Sequence, residues 1–210
     1  MSPVRAKRSK PIIGLSGGIG AGKSAVAEIL GSLGAAVIDS DRLSHEVMCE
    51  PDVVATLRSW WGHSVLTVDG VPDRRAIAAI VFKDSAELTK LEELLYPRIH
   101  DRREVLVDRY DADAAVRAIV LDAPKLYEAG LEGLCDSVIF VDADWQVRVK
   151  RVGASRGWDE AELRRREKLQ FPLDQKRANA DYCVTNHSRI DELRSEVNRV
   201  FSSIVASFSA

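Results

Sequence analysis

A glycine-rich segment near the N-terminus constrains the fold of this chain more than any other feature. Residues 17–24 read GGIGAGKS and match the pattern G-x-x-x-x-G-K-[ST] in full. An apolar run, residues 12–16, precedes the segment, and apolar residues at helical spacing follow it up to Leu33. A strand that passes through tight glycine turns into a helix directs successive backbone N–H groups at an anion. The segment therefore predicts a phosphate-binding loop between a strand and a helix.

The residue types within this loop predict a nucleoside triphosphate with Mg²⁺, and ATP is the favoured nucleotide. Lys23 is long enough to reach the β- and γ-phosphates, and the hydroxyl of Ser24 is the expected metal ligand. The helix that follows adds the positive end of its dipole. The residues expected to contact the nucleotide through the loop are Gly18, Gly20, Ala21, Gly22, Lys23, Ser24 and Ala25. The loop alone does not define the reaction.

Five apolar runs of strand length predict the architecture. They cover residues 12–16, 36–39, 117–124, 136–143 and 181–186. Each run is continuous rather than alternating, which is typical of strands that are covered on both faces. Because helical stretches separate the runs, we expect an α/β fold with a five-stranded parallel sheet.

Two segments are too long or too charged for a minimal α/β repeat. Roughly 75 residues separate the second and third runs, far more than one crossover helix requires, and residues 50–115 are predicted to form a helical insertion. The segment from residue 145 to residue 180 is rich in charged residues and predicts a helical lid within about residues 150–178. The nucleotide-binding core is then expected in residues 11–49 and 116–210, after a flexible basic tail of residues 1–10.

Composition limits the partners and the compartment. Thirty Lys and Arg residues against 32 Asp and Glu residues give a net charge of −2, so neither a nucleic-acid nor another polyanion partner is expected. The sequence shows no signal peptide and no membrane span. Its three cysteines are widely spaced and suggest no disulfide framework, which favours the cytoplasm.

Other classes of phosphate-loop protein fit the sequence less well. A GTPase requires an N-K-x-D motif to recognise its base, and the segment VTNHS after the fifth run lacks it. A transporter-type or motor ATPase requires a strand that ends in Asp-Glu, and none of the five runs does so. A small chain with a helical insertion and an arginine-rich lid fits a kinase of small molecules better than either of these classes.

Two aspartates and one asparagine lie where predicted strands end. Asp39 and Asp41 follow the second run, and ligands of open α/β sheets bind beyond the carboxyl ends of the strands. A kinase that acts on a hydroxyl needs a carboxylate there to accept the proton or to orient the oxygen. The alternative is that Asp39 or Asp41 simply caps the next helix, and the residues alone do not decide between the two. Similarly, Asn186 after the fifth run either contacts the adenine or ends its strand in a turn.

The motifs, taken in order, resemble the dephospho-coenzyme A kinase family. The resemblance begins with GGIGAGKS followed by VIDSD and extends to about residue 193. The further matching segments are DRRAIAAIVF, LLYPRI, VLDAPKLYEAGL, VIFVDADWQVRVKR and ANADYCVTN. The resemblance implies a phosphate-loop kinase core like that of nucleotide kinases, a helical domain that binds the acceptor, and a lid. The implied reaction is ATP-dependent phosphorylation of the 3′-hydroxyl of dephospho-CoA.

The resemblance also assigns expected roles to individual residues. It makes Asp41 the base or orienting group for the acceptor hydroxyl. Asp39 is also expected to contact the substrate, and the resemblance leaves its role as a helix cap open. Lys23 holds the triphosphate and takes part in catalysis, and Arg151 is expected to stabilise charge in the transition state. Arg74 and Tyr96 are expected to contact the acceptor, although Tyr96 stands where the family has histidine.

Some departures from the family pattern leave alternatives open. Gln146 and Arg148 replace the usual Glu and Gln, and the spacing from Arg151 to Arg156 is longer by one residue than the family's spacing. Either Arg151 or Arg156 could therefore be the arginine of the lid. A nucleoside or nucleotide kinase of the same fold, or a non-catalytic ATP-binding module, remains an alternative function. The chain is expected to be a monomer or a weak homo-oligomer.

Overall fold

The computed structural model describes residues 8–187 and 189–208 of the chain. Most of the predicted flexible tail, residues 1–7, lies outside the described residues. The strands are β1 (Ile12–Gly17), β2 (Ala35–Asp39), β3 (Ala118–Asp122), β4 (Ser137–Asp142) and β5 (Tyr182–Thr185). The α-helices are α1 (Lys23–Ser32), α2 (Ser40–Met48), α3 (Pro51–Trp61), α4 (Arg74–Val81), α5 (Ser85–Ala112), α6 (Trp145–Arg156), α7 (Glu160–Glu167), α8 (Leu173–Ala178) and α9 (Ile190–Phe208).

The five strands form one parallel sheet in the order β2-β3-β1-β4-β5. This confirms the predicted fold class, and each strand begins and ends within two residues of its predicted bounds. All six residues of β1 are buried, because β1 is the central strand and helices cover both faces of the sheet. The strand that leads into the phosphate loop is therefore buried along its whole length and paired along both edges.

The chain divides into two compact units, one formed by residues up to 40 and from 107 onward, the other by residues 41–106. The predicted insertion was residues 50–115, so the second unit begins earlier and ends earlier than expected. It begins earlier because Val47 and Met48 of α2 belong to its own apolar core. At the other boundary, the end of α5 belongs to the first unit, where Lys10 Nζ donates to the carbonyl of Asp111 at 2.7 Å. Ser9 N also donates to the Asp111 carboxylate, so residues assigned by sequence to a flexible tail instead secure the end of this helix.

The second unit is helical and has a separate core. Its buried residues come from α2, α3, α4 and α5 together with Val65. Trp60 and Trp61 pack against this core from α3, and the Trp61 indole N–H donates to Glu87 at 2.6 Å. The 28-residue helix α5 continues through Pro97 as one helix.

The charged segment predicted to contain a lid folds into α6, α7 and α8, and a buried ion pair secures its last helix. Lys176 Nζ lies 2.9 Å from Glu128 Oε1, and the Lys176 side chain is 3% exposed. Burial acts to raise the pKa of the Glu128 carboxyl, but hydrogen bonds from Phe171 N and Lys176 outweigh it, and the pKa lies below its usual range. Glu128 is therefore ionised at neutral pH and holds α8 next to the segment that follows β3. No helix within residues 8–187 and 189–208 has the length and apolar character of a membrane span.

Candidate active site

The segment predicted to bind phosphate forms a tight loop between β1 and α1. Ala21 N donates to the carbonyl of Gly18 at 3.1 Å, which closes a turn, and the Gly22 carbonyl accepts the N–H of Ala25 at the start of α1. Gly20 and Gly22 have φ angles of 77° and 89°, which L-residues with side chains rarely adopt. At Gly22 a Cβ atom would also overlap the side-chain amide of Asn186. Glycine at position 22 is thus required both by the backbone conformation and by a close neighbour.

One carbonyl of the loop is held from outside by two side chains. Arg151 Nη1 donates to the carbonyl of Ala21 at 3.1 Å, and Asn186 Nδ2 donates to the same oxygen at 2.8 Å. A third hydrogen bond, 3.0 Å from Arg151 Nη2 to Asn186 Oδ1, joins the two side chains. Because a trans peptide is planar, its C=O and the following N–H point in opposite directions. The three bonds therefore fix the Gly22 N–H on the side of the loop away from Arg151.

Asn186 reaches the loop because the sheet continues by one bond beyond β5. Its backbone N–H donates to the carbonyl of Asp142 at 2.7 Å, which extends the pairing of β5 with β4. The sequence predicted either an adenine contact or a simple turn for this residue. The structure gives its side chain a different task, which is to hold the phosphate loop, and the adenine contact stays a prediction.

The two candidate lid arginines occupy different places. Arg151 lies on α6 at the phosphate loop. Arg156, the last residue of α6, lies with its guanidinium carbon 4.8 Å from the ring centroid of Trp158. The structure therefore brings Arg151, and not Arg156, to the loop.

Carboxylates mark the ends of three strands of the sheet. Asp39 ends β2, Asp122 ends β3 and Asp142 ends β4, and Asp39 and Asp122 are register partners. Asp142 forms an ion pair with Arg177 at 3.0 Å. Sequence reasoning did not select Asp122, although an acidic residue at the carboxyl end of a predicted strand was a usable signal.

The donor set at this edge fits Mg²⁺. Ser24, an exposed residue in the first turn of α1, offers a hydroxyl, and the strand ends offer carboxylates. Among the described residues, no group of three or more His, Cys, Asp or Glu side chains is placed to hold a metal ion. Mg²⁺ at phosphate sites takes few protein ligands and obtains the rest from phosphate oxygens and water. A single hydroxyl and one or two carboxylates therefore suit Mg²⁺ better than a metal that needs an all-protein site.

Three predicted site residues, Asp41, Arg74 and Tyr96, belong to the second unit, and Asp39 belongs to the first. Asp41 is exposed in the first turn of α2, after Ser40 begins that helix. It therefore lies inside the helix, whereas the capping alternative required a position just before it. Asp39 directly precedes the helix, so for Asp39 both alternatives remain.

The two predicted acceptor contacts are also exposed. Arg74 is the first residue of α4, whose N-terminus is capped by the carboxylate of Asp73. The Tyr96 hydroxyl donates to Glu92 at 2.7 Å. Partial burial of the hydroxyl, together with this bond to a carboxylate, raises the pKa of Tyr96 to about 12. Tyr96 is consequently a hydrogen-bond donor at every physiological pH.

Arg148 is a second arginine of α6 at the loop, and sequence reasoning did not select it for the site. Its Nη1 donates to the carbonyl of Ile19 at 3.3 Å, and the guanidinium also forms an ion pair with Glu167. The sequence signal that could have identified Arg148 is its spacing from Arg151, since residues three apart share one face of a helix.

Comparison with known proteins shows the same fold and a matching sequence along nearly the whole chain. A family model for dephospho-CoA kinase matches residues 11–192. The dephospho-CoA kinase of Thermobifida fusca is 37% identical over 91% of this chain and 95% of its own length. That of Corynebacterium glutamicum is 34% identical over 92% of this chain and 97% of its own length.

The solved structures similar to this chain include two that cover nearly all of it. The crystal structure of TT1252 from Thermus thermophilus is 32% identical, with a TM-score of 0.78 over 93% of this chain and 98% of that one. The dephospho-CoA kinase from Campylobacter jejuni is 22% identical and shares the fold, with a TM-score of 0.69 over 94% of this chain and 98% of that one.

The conformation of the loop generates a prediction for Gly22→Ala. We expect ATP affinity to fall at least about tenfold, because the added methyl group displaces Asn186 and with it the bond that fixes the Gly22 N–H. Isothermal titration with ATP and Mg²⁺ measures the change.

Gly130→Ala is the matched control for this variant. Gly130 also has a positive φ, 64°, but a Cβ there meets nothing within 4 Å. Both variants should lose about 1–2 kcal/mol of stability from the left-handed backbone conformation, and only Gly22→Ala should lose ATP affinity. Equal ATP affinity in the two variants would contradict the role given to the Asn186 bond.

Proposed function

The chain belongs to the dephospho-CoA kinase family, and we propose that it transfers the γ-phosphate of ATP to the ribose 3′-hydroxyl of dephospho-CoA. The products are CoA and ADP, and the reaction is the last step of CoA biosynthesis. The observation that carries the proposal is the held phosphate loop, whose Ala21 carbonyl is fixed by Arg151 and Asn186. A loop with its peptides fixed in this way suits a triphosphate, and the family match from residue 11 to residue 192 supports the acceptor.

The donor side of the reaction uses the loop and the start of α1. The backbone amides of the loop bind the phosphate oxygens, and Lys23 reaches the β- and γ-phosphates. The Ser24 hydroxyl and the carboxylates that end β2 and β3 are suited to hold Mg²⁺. When bound, Mg²⁺ neutralises charge on the β- and γ-phosphate oxygens.

The acceptor side of the proposal depends on Asp41. Phosphoryl transfer forms a bond between the 3′-oxygen and the γ-phosphorus and breaks the bond from that phosphorus to the β,γ-bridging oxygen. The proton of the 3′-hydroxyl passes to the Asp41 carboxylate, which is exposed and follows the end of β2 by two residues. Asp39 is the second proposed contact for the substrate.

Four further side chains have proposed roles in binding and charge stabilisation. Arg151 stabilises the charge that develops on the transferred phosphoryl group through the Gly22 N–H that it orients, rather than by direct contact. Arg74 supplies a cation for the phosphates of the acceptor, and the Tyr96 hydroxyl, whose proton is donated to Glu92, supplies a neutral hydrogen-bond acceptor because its pKa is about 12. Asn186 acts on the nucleotide through the loop that it holds.

The three cysteines are consistent with a cytoplasmic location. Cys49, Cys135 and Cys183 form no disulfide within the described part of the chain, a state that a reducing compartment maintains. We expect the enzyme to act there as a monomer or a weak homo-oligomer.

The proposed acceptor is tested by transfer of labelled γ-phosphate in a single turnover. We expect label to appear in CoA when the folded protein is mixed with ATP, Mg²⁺ and dephospho-CoA. A thermal-shift panel compares dephospho-CoA with AMP and nucleosides, and only dephospho-CoA should stabilise the protein. Transfer to AMP or a nucleoside instead would favour a nucleotide or nucleoside kinase, and ATP binding with no transfer would favour a non-catalytic module.

The role of Asp41 predicts that Asp41→Asn folds normally and binds ATP but loses most of its turnover. The amide is isosteric but cannot accept the hydroxyl proton, so kcat should fall by about 10²–10⁴. Steady-state kinetics with both substrates measure the change.

Asp191→Asn is the matched control, since Asp191 is also exposed and is also the second residue of its helix, α9. It should leave kcat unchanged. A near-normal kcat for Asp41→Asn would remove this carboxylate from the mechanism.

A further inference from the structure

We propose that Arg148 and Glu167 form a positioning pair that holds the phosphate loop ready for the triphosphate. The pair adds a second external anchor to the one formed by Arg151 and Asn186. The inference rests on the proposed function only in taking ATP as the ligand of the loop, and it is independent of the acceptor.

Arg148 is buried at the back of the loop. The residue is 5% exposed, its Nη1 donates to the Ile19 carbonyl, and the same nitrogen contacts Glu167. A Cβ atom built on Gly18 would lie 2.5 Å from Arg148 Nη1, and one built on Gly20 would lie 3.0 Å from the Arg148 carbonyl. The absence of side chains at these two glycines thus allows α6 to approach the loop this closely.

The bond to Ile19 determines the direction of a loop amide. The Ile19 C=O and the Gly20 N–H belong to one planar peptide and point in opposite directions. With its carbonyl held by Arg148, this peptide directs the Gly20 N–H away from α6. Arg151 does the same for the Gly22 N–H through the carbonyl of Ala21. Two alternate amides of the loop are therefore oriented before any phosphate is bound.

Glu167 is what keeps Arg148 in this position. Glu167 is the last residue of α7, and its side chain is 22% exposed. Its carboxylate accepts a hydrogen bond from the Arg148 guanidinium. The ring of Trp145 lies 5.0 Å from the guanidinium carbon on another side. The guanidinium is thus restrained by a carboxylate, a carbonyl and an aromatic ring.

The energetics of the pair favour a role in binding over a role in folding. Within the described residues, Arg148 Nε is buried and has no hydrogen-bond partner. A buried ion pair with an unsatisfied donor contributes little to stability, and apolar replacements are often as stable. The lid helix α7 has an independent attachment, since the Trp145 indole N–H donates to Glu160 at 2.9 Å at the start of that helix. The fold can therefore tolerate the loss of the pair, whereas the loop cannot keep its Ile19 peptide fixed without it.

The experiment compares two double variants of the full-length chain. Arg148→Met with Glu167→Gln removes the pair, and Arg165→Met with Glu162→Gln makes the same replacements in a pair on α7 whose arginine is exposed. The dissociation constant for ATP is measured with Mg²⁺ and without acceptor, and Tm is measured on the same samples. For the first double variant we expect ATP to bind about tenfold more weakly, with Tm within a few degrees of the parent. The control variant should match the parent in both measurements.

Glu167→Gln alone provides a second test that preserves an acceptor for Arg148. Without the charge that restrains the guanidinium, ATP affinity should fall several-fold. In active enzyme, the KM for ATP should rise while the KM for dephospho-CoA stays constant. Parent-like ATP affinity in Glu167→Gln and in the first double variant overturns the proposal, as does a loss of affinity seen only where Tm collapses. Failure of phosphate transfer to dephospho-CoA would instead overturn the proposed acceptor, because the ATP measurement does not involve it.

Discussion

The phosphate site depends on hydrogen bonds to the side of the loop that the phosphate does not touch. A carbonyl held on one side of a planar peptide directs an amide to the other, so Arg151 and Asn186 orient the amide of Gly22 through the Ala21 oxygen. Strand order makes these contacts possible. β1, β4 and β5 are neighbours, and therefore α6 after β4 and Asn186 after β5 both reach the loop that follows β1.

This arrangement explains why the glycines and the arginines are needed together. Glycine permits the left-handed conformation at positions 20 and 22 and leaves room for α6 and Asn186 at close range. A loop made of glycines alone would lose much conformational entropy on binding a phosphate. Side chains that fix its peptides in the unbound protein reduce that cost, which is the advantage of preorganisation.

The sequence predicted the local features of the site and missed the long-range ones. Continuous apolar runs located all five strands, because strands covered on both faces carry that pattern without interruption. The tasks of Asn186 and Arg148 were not predicted, since each depends on a partner more than a hundred residues away in the chain. The start of the second unit was also missed, because the apolar residues Val47 and Met48 do not reveal which of two cores they join.

The central claim is that the loop amides are oriented before the nucleotide arrives. It is tested most directly by ¹⁵N relaxation of the Gly20 and Gly22 amides in the nucleotide-free protein. We expect order parameters of about 0.85, typical of rigid backbone, with little change when ATP and Mg²⁺ are added. Order parameters below about 0.6 without nucleotide, rising on addition of ATP, would contradict the account, because the phosphate rather than the protein would then order the loop.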